Sequence, residues 1–440
     1  MASSEIRNWS RLQRFTPRYH AQPATTAQVV EAVNDAASRS HRIRVAGNLH
    51  SFSEIVRTDD TLISVGALSG IVEADVPSGL VRVRAGTSIH DLSRMLDILG
   101  LALPNLGDID VQTIAGAAAT GTHGTGLNFA SVSAQIVAAQ VVTADGEVVE
   151  IDDSDPQALK AVRVSLGSLG VVTELTLQCV PAFRLDRLDL PRPVGESLAQ
   201  IDDLCANFDH YEFYVLPYSD LSLQKRINRS DEPARPLRPA KRFFNDVVVE
   251  NIALGAAVNV GKFYPKAIPP VARTMAKFFS PARRLDKSFD AFSTVRMVRF
   301  NELEYAIPRR HLAEAVERIL AMVQEHQYPV NFPIEVRVGR ADDSSFLATA
   351  AGRETGYISV HTFKGMPYED YFRAVETIMN GYDGRPHWGK MNWQTAESLA
   401  PRYEGWNEFQ AVRAKFDPRG VFTNEYIERL LGPVSTVAVD

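Results

Sequence analysis

The sequence has only two cysteines, Cys179 and Cys205, and no apolar run that approaches the roughly 20 residues needed to span a bilayer. Two cysteines are too few for a disulfide framework or a cysteine-ligated metal cluster, so we expect both to be small buried residues in a reducing compartment. The first residues also lack the apolar core of a secretory signal. These absences predict a cytoplasmic protein with no transmembrane segment and no metal centre.

The sequence also lacks a strong excess of charge of either sign. The formal net charge of its 440 residues is −6, so no general electrostatic attraction to nucleic acid is expected. Hydrophobic residues make up 45% and charged residues 23%, which is the balance of a globular protein with large cores. Because the length exceeds that of one ordinary core, two lobes are predicted.

Short helices and strands alternate through the first part of the chain. Thr25 and Gln28 resemble a capping box and predict a helix over 26–38. Ala144-Asp145-Gly146 separates two strand-like runs and is typical of a hairpin. This mixture predicts an α+β fold. Other patterns predict strands over 62–65, 71–76 and 80–84, a helix beginning at Ser88, and a helix over 159–164.

A turn that contains Gly47 follows a short strand-like run and places His50 directly after it. Glycine allows backbone N–H groups to approach an anionic phosphate, because it has no Cβ and tolerates positive φ. The residues alone leave two interpretations open. The turn either binds a phosphate group or is an ordinary corner with a solvent-facing histidine.

The segment 115–126 consists almost entirely of Gly, Ala and Thr. Such small residues suit a backbone that lies flat against a large rigid ligand, with hydroxyl and N–H groups forming the hydrogen bonds. A tightly packed helix and turn in the core would need the same composition. Both interpretations remain open at this point.

The second half changes to longer strand and helix patterns, which predict a separate α+β layer. The region 233–287 is basic and irregular, with one helix expected over 272–279. We expect a solvated helical insertion there, with a membrane-surface role as the alternative. The patterns predict strands over 213–217, 295–300, 332–338 and 357–361, and helices over 311–324 and 368–379.

Glu335 and Arg337 are two residues apart in a predicted strand, so their side chains project from the same face. Opposite charges in that arrangement form a surface ion pair of small energetic value in many proteins. The spacing therefore does not separate a surface pair from a functional one.

Five motifs in order carry a resemblance to a known family. They are A-G-N-L-H-S-F at 46–52, P-N-L-G-D-I-D at 104–110, A-G-A-A-A-T-G-T-H-G-T-G at 115–126, T-A-D-G-E at 143–147 and L-G-S-L-G-V-V at 166–172. In this order they resemble the FAD-binding domain of the vanillyl-alcohol oxidase superfamily. The nearest likeness is to the aldonolactone oxidases, with alditol oxidase as a near relative.

The resemblance implies a two-lobed PCMH-type FAD-binding domain over 1–182, a cap or substrate domain over 183–400, and a C-terminal segment over 401–440 that returns to the FAD domain. It implies FAD bonded covalently to His50 through the 8α-methyl group. Asn48 and Leu49, which it also implies to contact FAD, depart from the small residues that many relatives carry there. The other residues implied to contact FAD are Ala46, Gly47, Ser51, Gly107, Asp108, Thr113, Gly116, Thr120, Gly121, Thr122, His123, Val172 and Lys390.

The resemblance also implies that Glu335, Arg337, His361 and Lys390 are catalytic, the last within the family's H-W-x-K motif. Glu335, Arg337, His361 and Asp108 are the residues expected to bind the substrate, and Asp108 stands where alditol oxidase has a serine. The implied reaction is oxidation of a CH–OH group, at C2 of an aldono-1,4-lactone, by hydride transfer to the flavin. Oxygen is the expected acceptor, since Gly107 is expected to leave a void beside the flavin. The alternatives are an open-chain polyol as substrate, an electron carrier as acceptor, and a flavin-carrying binding protein with an inactive site.

Overall fold

The chain is built around three main sheets, of three, five and eight strands, in a computed structural model that describes residues 4–236, 254–294 and 296–434. Helices pack against these sheets, and most strand pairs are antiparallel, so the predicted α+β class is confirmed. None of the helices in the described ranges is both long enough and apolar enough to cross a bilayer.

The three-stranded sheet is parallel, in the order β3-β5-β4. Helix α1 packs on it through Val29, Val33 and Ala36, and the Thr25 hydroxyl accepts a hydrogen bond from the Gln28 N–H at 3.2 Å. The helix that this cap predicted is therefore confirmed. The elements of this region are β1 (Ile6–Arg7), β2 (Arg14–Phe15), β3 (Tyr19–Ala21), α1 (Thr26–Ser38), β4 (Ile43–Ala46) and β5 (Thr61–Ser64).

The five-stranded sheet is antiparallel, in the order β10-β9-β11-β7-β6. Its first two strands form the hairpin that Ala144-Asp145-Gly146 predicted. The elements are β6 (Ile71–Asp75), β7 (Leu80–Arg84), α2 (Ile89–Ile98), β8 (Leu101–Ala102), α3 (Ile114–Ala119), β9 (Ile136–Val142), β10 (Val148–Ile151), α4 (Pro156–Arg163), β11 (Val171–Gln178) and β12 (Val180–Pro181).

The eight-stranded sheet has the order β16-β13-β15-β14-β18-β19-β17-β20. Two of its helices, α10 and α11, bury apolar side chains against one face. The elements are β13 (Arg184–Pro193), α5 (Val194–Ala199), α6 (Ile201–Asn207), β14 (His210–Val215), β15 (Leu221–Ser230), α7 (Leu254–Phe263), α8 (Ile268–Ala276), β16 (Ala282–Lys287), α9 (Ser288–Phe292), β17 (Phe300–Pro308), α10 (Leu312–Glu325), β18 (Ile334–Gly339), β19 (Thr355–Phe363), α11 (Glu369–Asn380) and β20 (Arg385–Pro386).

The C-terminal helices are α12 (Ala396–Leu399), α13 (Trp406–Phe416) and α14 (Glu425–Leu431). The segment between the last two lies beside β4. The Ile43 N–H donates to the Val421 carbonyl at 2.8 Å, and the Arg44 guanidinium donates to the Phe422 carbonyl at 2.9 Å. The end of the described chain therefore packs on its beginning.

Two predictions need correction. The strand expected over 295–300 begins only at Phe300 and continues to Pro308, and Val295 lies outside the described residues. The apolar residues before Phe300 lie in a connecting segment, because backbone pairing with β19 begins only at Phe300, opposite Phe363. The insertion predicted over 233–287 ends in β16, which pairs with β13, and contains α7 and α8. Residues 237–253 of that insertion lie outside the described residues.

Candidate active site

A cavity of about 470 Å³ lies between the eight-stranded sheet and the loops that follow β4 and β8. Sheet residues from β17, β18 and β19 form one wall, and residues 107–112 together with Thr120, Thr122 and His123 form another. Trp9, Phe52, Phe300 and Phe332 line an aromatic side, with the Trp9 and Phe300 rings 5.2 Å apart. The cavity therefore has one aromatic and one charged side.

A narrower channel of about 90 Å³ meets this cavity at His50, Ser51, Gln112 and Thr120. Its walls are the turn after β4, helix α3 and the loop 165–172. The two motifs that left alternatives open, 46–52 and 115–126, thus come together along one channel. Helix α3 also buries Ile114, Ala117 and Ala118 in the core. The segment 115–126 therefore lines a channel and also packs in the core, so the two interpretations of its small residues both apply.

Glycine is required at position 47, because the turn after β4 and the Thr113 side chain approach each other closely in the channel wall. A Cβ at this position would lie 2.1 Å from the Thr113 hydroxyl oxygen. That hydroxyl accepts a hydrogen bond from the Gly116 N–H at 3.2 Å and caps helix α3. The glycine therefore allows the turn after β4 to lie directly against the start of α3.

His50 lies where the channel opens into the cavity. Leu49 before it has φ of +56°, a left-handed conformation that a leucine rarely adopts, and its carbonyl accepts a hydrogen bond from the Trp9 N–H at 2.8 Å. The Trp9 ring stacks on the His50 ring at 5.7 Å. Burial and the nearby Lys390 ammonium lower the pKa of His50 to about 4, so the imidazole is neutral at pH 7.

The charged side of the cavity is one face of the eight-stranded sheet. Directly opposite residues in antiparallel strands share a face, and the register places Glu335 opposite both Tyr214 and Ser359, and Glu302 opposite His361. The intervening residues point to the other face, where Leu303, Val336 and Ile358 join a buried apolar cluster. The sheet is therefore buried on both faces, and one of them is polar.

Arg337 is the centre of the first charge cluster on this face. Its guanidinium lies 2.8 Å from Asp108 and 2.9 Å from Glu212, and it also contacts Glu335. Burial alone would lower the pKa of Arg337, but these three carboxylates raise it well above its usual value. The arginine is therefore permanently charged, and it contacts the three carboxylates through its Nε and Nη2 atoms.

Two further cations, Lys225 and Arg296, complete this cluster. The Lys225 ammonium lies 2.6 Å from Glu212, and the Arg296 guanidinium lies 2.8 Å from Asp108. The Tyr214 hydroxyl lies 2.6 Å from Asp108 and 2.7 Å from Glu335. Although burial would raise the pKa of Asp108, Lys225, Arg337 and Arg296 hold it well below its usual value. Three carboxylates thus face three cations.

Lys390 and Glu302 form the second cluster. Their side chains are in direct contact, and the Lys390 ammonium also lies 3.9 Å from Glu304. Burial would raise the pKa of Glu302, but chiefly Lys390 and then His361 lower it to about 2. His361 Nδ1 lies 3.0 Å from the Pro333 carbonyl, and its Nε2 lies 3.5 Å from Glu302. Because a carbonyl only accepts, Nδ1 carries a hydrogen, and Nε2 is the ring nitrogen that faces the Glu302 carboxylate.

His123 and His387 lie near Glu304, the second carboxylate beside Lys390. His123 Nε2 lies 2.5 Å from Glu304, and its ring stacks on Tyr357 at 3.6 Å between centroids. Although burial would raise the pKa of Glu304, His123 and His387 help to hold it well below its usual value. His123 therefore lines the cavity while its Nε2 is hydrogen-bonded to Glu304 of strand β17.

The structure brings most of the predicted residues together, with three qualifications. Ala46 packs in a core cluster with Phe15 and Leu62, and Gly121 lies near Val164 and Trp388, so neither lines the channel or the cavity. Gly107 lines the cavity, but an added Cβ would lie 3.2 Å from the His123 carbonyl oxygen. The space beside it is therefore partly filled by the chain itself.

Several residues of the site were not predicted. The alternation of Glu302 and Glu304 in β17 is the same signal that singled out Glu335 and Arg337, and Glu212 with Tyr214 in β14 repeats it. This spacing is the signal in the sequence that could have indicated the polar residues of these two strands. The residues that were missed are Trp9, Gln112, Glu212, Tyr214, Lys225, Arg296, Phe300, Glu302, Glu304, Phe332 and His387.

Comparisons with known proteins agree with this geometry. Residues 175–430 match the family model described as D-arabinono-1,4-lactone oxidase, and residues 17–152 match the one described as FAD binding domain. A Mycobacterium tuberculosis protein named L-gulono-1,4-lactone dehydrogenase is 43% identical over 97% of this chain and 99% of its own. The L-gulonolactone oxidase of Mus musculus is 31% identical over 97% of this chain and 98% of its own.

A more distant relative and a solved structure extend these findings. The alditol oxidase of a Streptomyces species is 29% identical over 98% of this chain and 99% of its own. The crystal structure of cholesterol oxidase from B. sterolicum superposes with a TM-score of 0.82 and covers 98% of this chain and 97% of that chain. At 20% identity that structure shows the fold alone, and it confirms the predicted fold of the FAD-binding type.

Proposed function

Because this chain belongs to the D-arabinono-1,4-lactone oxidase family and is an FAD-dependent oxidoreductase, we propose that it oxidises the C2 hydroxyl of an aldono-1,4-lactone. The candidates are L-gulono-, L-galactono- and D-arabinono-1,4-lactone. The observation that carries this proposal is the buried polar sheet face around Arg337 and Lys390, which opens into a cavity large enough for one small polyhydroxylated ring. We also propose the division 1–182, 183–400 and 401–440 for the domains.

The narrow channel suits FAD. Among the described residues that line it there is no carboxylate, and buried Arg44, whose guanidinium donates to the carbonyls of Ile55, Leu166, Gly167 and Phe422, is one of the lining residues. A pyrophosphate is negatively charged and fits such a wall, together with the backbone N–H groups of the glycine turns. Gln112 Oε1, where channel and cavity meet, is buried without a hydrogen-bond partner, so it can accept from an N–H group of a bound ring.

His50 is the proposed point of covalent attachment to FAD. A neutral imidazole has a free nitrogen lone pair, which is what bond formation to the 8α carbon requires. The lowered pKa of His50 and its position where the channel opens into the cavity support this role. When bound, the flavin supplies the hydride acceptor of the reaction.

Arg337 and Lys390 have the proposed task of stabilising the substrate oxygen as its proton leaves. Donors that are fixed in a buried, water-poor site stabilise developing charge better than donors in bulk solvent. Glu335 fixes Arg337 and is placed to accept hydrogen bonds from sugar hydroxyls. His361 Nε2 is the proposed proton acceptor, since Nδ1 is oriented by the Pro333 carbonyl. Asp108 is proposed to bind a substrate hydroxyl beside Arg337.

Oxygen is the proposed acceptor, with hydrogen peroxide as product. Gly107 lines the cavity without a side chain, and the positive charge of Lys390 lies in the same cavity. An electron carrier is the alternative acceptor. The mycobacterial relative is named a dehydrogenase, whereas other relatives are named oxidases, so both kinds of name occur among similar proteins.

A substrate panel tests the proposed function. Aldono-1,4-lactones and open-chain alditols are mixed with the yellow protein without oxygen, and bleaching of the flavin absorbance is timed. We expect at least one lactone to bleach the flavin faster than every alditol. Faster bleaching by an alditol would instead assign the chain to open-chain polyols, and no bleaching by either class would contradict the proposal.

A further inference from the structure

A further cavity is formed by residues from both ends of the described chain. It has a volume of about 580 Å³ and lies between the end of α1, the segment 418–423 and helix α14. None of the described residues that line it also lines the channel or the substrate cavity. Pockets that bind small molecules commonly have volumes of about 300–1,000 Å³. We call this space, lined by residues within 37–42 and 413–434, the rear cavity.

Arg413 of α13 lines the rear cavity and is almost completely buried, with 1% of its surface exposed. Its Nη1 donates to the Gly432 carbonyl at 2.9 Å. Its Nε and Nη2 are buried and have no hydrogen-bond partner within the part of the chain that the structure describes. Buried donors are normally hydrogen-bonded, because leaving them unpaired costs stability. Arg413 therefore keeps donors on two nitrogens for an acceptor that the described residues do not supply.

The charge of the rear cavity is mainly positive. Arg42 and Arg419 line it together with Arg413, whereas Glu428 is the one carboxylate among the described residues that line it. Burial lowers the pKa of Arg413 to about 10, so this group is charged at pH 7. Three guanidinium groups from three separate segments thus face one space, and such a charge distribution attracts an anion.

Two of these arginines already form ion pairs at the rim. Arg42 lies 3.0 Å from Glu428, and Arg419 lies 2.8 Å from Asp145. The two arginine side chains are 50% and 56% exposed, so both pairs are weak. An anion of higher charge in the cavity can therefore replace them as the partner of these arginines.

The segment 418–423 connects the rear cavity with the FAD channel. The Asp417 carboxylate accepts hydrogen bonds from the N–H groups of Val421 and Phe422 at 2.7 Å each, so it is already engaged with the backbone. The Phe422 carbonyl accepts from Arg44, which lines the channel. A ligand in the rear cavity would therefore contact the segment that also supports the channel wall.

We propose that the rear cavity binds a small molecule that carries a phosphate group, with Arg413 as its buried contact. Guanidinium groups pair well with phosphate oxygens, and a tetrahedral phosphate offers oxygens to groups that approach from several directions. A planar carboxylate offers only two oxygens in one plane. The cavity is larger than an inorganic ion requires, so the rest of the ligand would fill its open part. On binding, Arg42 would exchange Glu428 for the phosphate.

Isothermal titration calorimetry of the full-length, FAD-loaded protein tests this proposal, because the flavin then occupies the channel and keeps added phosphate out of it. Inorganic phosphate, adenosine monophosphate and succinate are titrated at pH 7, with sodium chloride at matched ionic strength as the reference. We expect both phosphates to bind and succinate to bind more weakly. Arg413→Gln should weaken phosphate binding about ten- to a hundredfold.

Two rim variants should change binding in opposite directions. Arg42→Gln should weaken it about two- to fivefold, whereas Glu428→Gln should strengthen it about two- to fivefold, because it releases Arg42 and removes the opposing carboxylate. Both side chains are partly exposed, so these variants keep the test valid if Arg413→Gln does not fold. A purely structural role of this cluster would not produce the gain in Glu428→Gln.

Arg57→Gln is the matched control, since Arg57 is an exposed, paired arginine that does not line the rear cavity. It should bind phosphate as wild type does. Three results would overturn the proposal. They are no binding of either phosphate beyond the salt reference, succinate binding as tight as phosphate binding, and unchanged phosphate binding in both rim variants.

Discussion

Replacement of Arg337 by alanine should destabilise the protein and slow the reaction together. The side chain is 10% exposed and contacts Asp108, Glu212 and Glu335. Within the described part of the chain, its loss leaves Lys225 and Arg296 as the cations in contact with this cluster of carboxylates. Breaking a buried ion pair typically costs about 3–5 kcal/mol of unfolding free energy. We expect a loss in this range for Arg337→Ala.

The loss should depend on pH in a defined direction. In wild type the folded-state pKa of Asp108 is held below its usual value, so this group contributes stability above a pH of about 4, which is lost as the pH falls further. Without Arg337 that contribution shrinks, because the carboxyl groups bind protons more readily. The difference in stability between wild type and variant should therefore be largest near neutral pH and narrow in acid.

Chemical denaturation from neutral pH to well below a pH of about 4 measures this difference, because the contribution of Asp108 is lost only in that acid range. Arg57→Ala is the control, since its pair with Glu54 is exposed and should contribute only about 0–1 kcal/mol. Rapid mixing with lactone without oxygen gives the rate of flavin reduction, which should fall by about two to three orders of magnitude in Arg337→Ala. A variant as stable as the control that also reduces its flavin at the wild-type rate would refute both roles.

Three other changes test separate parts of the site. His50→Ala should release its flavin into the supernatant when the protein is precipitated in acid, whereas the wild-type pellet should stay yellow; a colourless wild-type pellet would rule out the covalent bond. Glu302→Gln removes the partner of Lys390 and should slow flavin reduction about ten- to a hundredfold without loss of colour; an unchanged rate would mean that this carboxylate does not orient the lysine. Gly107→Ala adds a methyl group beside the His123 carbonyl and should slow reoxidation of the reduced enzyme in aerated buffer; slow reoxidation in wild type that the methyl group leaves unchanged would favour an electron carrier.

Helices and strands were predicted well from the sequence where a single local signal, such as a helix cap or a turn motif, determines them. Helix α1 has the bounds that its cap and apolar spacing indicated, and the hairpin of β9 and β10 follows from its turn residues. Such features depend on contacts only a few residues apart. The family resemblance, not local pattern, placed the motifs 46–52 and 115–126 at one FAD site. In the structure both motifs line the same channel, which accounts for their small residues.

Strand β17 shows why the rest of the site was not predicted. Its sequence alternates charged and apolar residues, a pattern typical of a strand with one side in water. Glu302 and Glu304 are nevertheless buried, because Lys390, His123 and His361 from distant parts of the chain compensate their charge. Burial of a charge depends on partners that only the tertiary fold brings together. The same reason explains why Glu212 and Lys225 were missed.

The central claim is that hydride leaves C2 of an aldono-1,4-lactone for the flavin. The most direct test compares flavin reduction, without oxygen, by the preferred lactone carrying deuterium at C2 and by the same lactone carrying deuterium at another carbon. We predict that deuterium at C2 slows reduction severalfold and that deuterium elsewhere leaves the rate unchanged. Slowing by deuterium at another carbon and not at C2 would contradict the proposed site of oxidation.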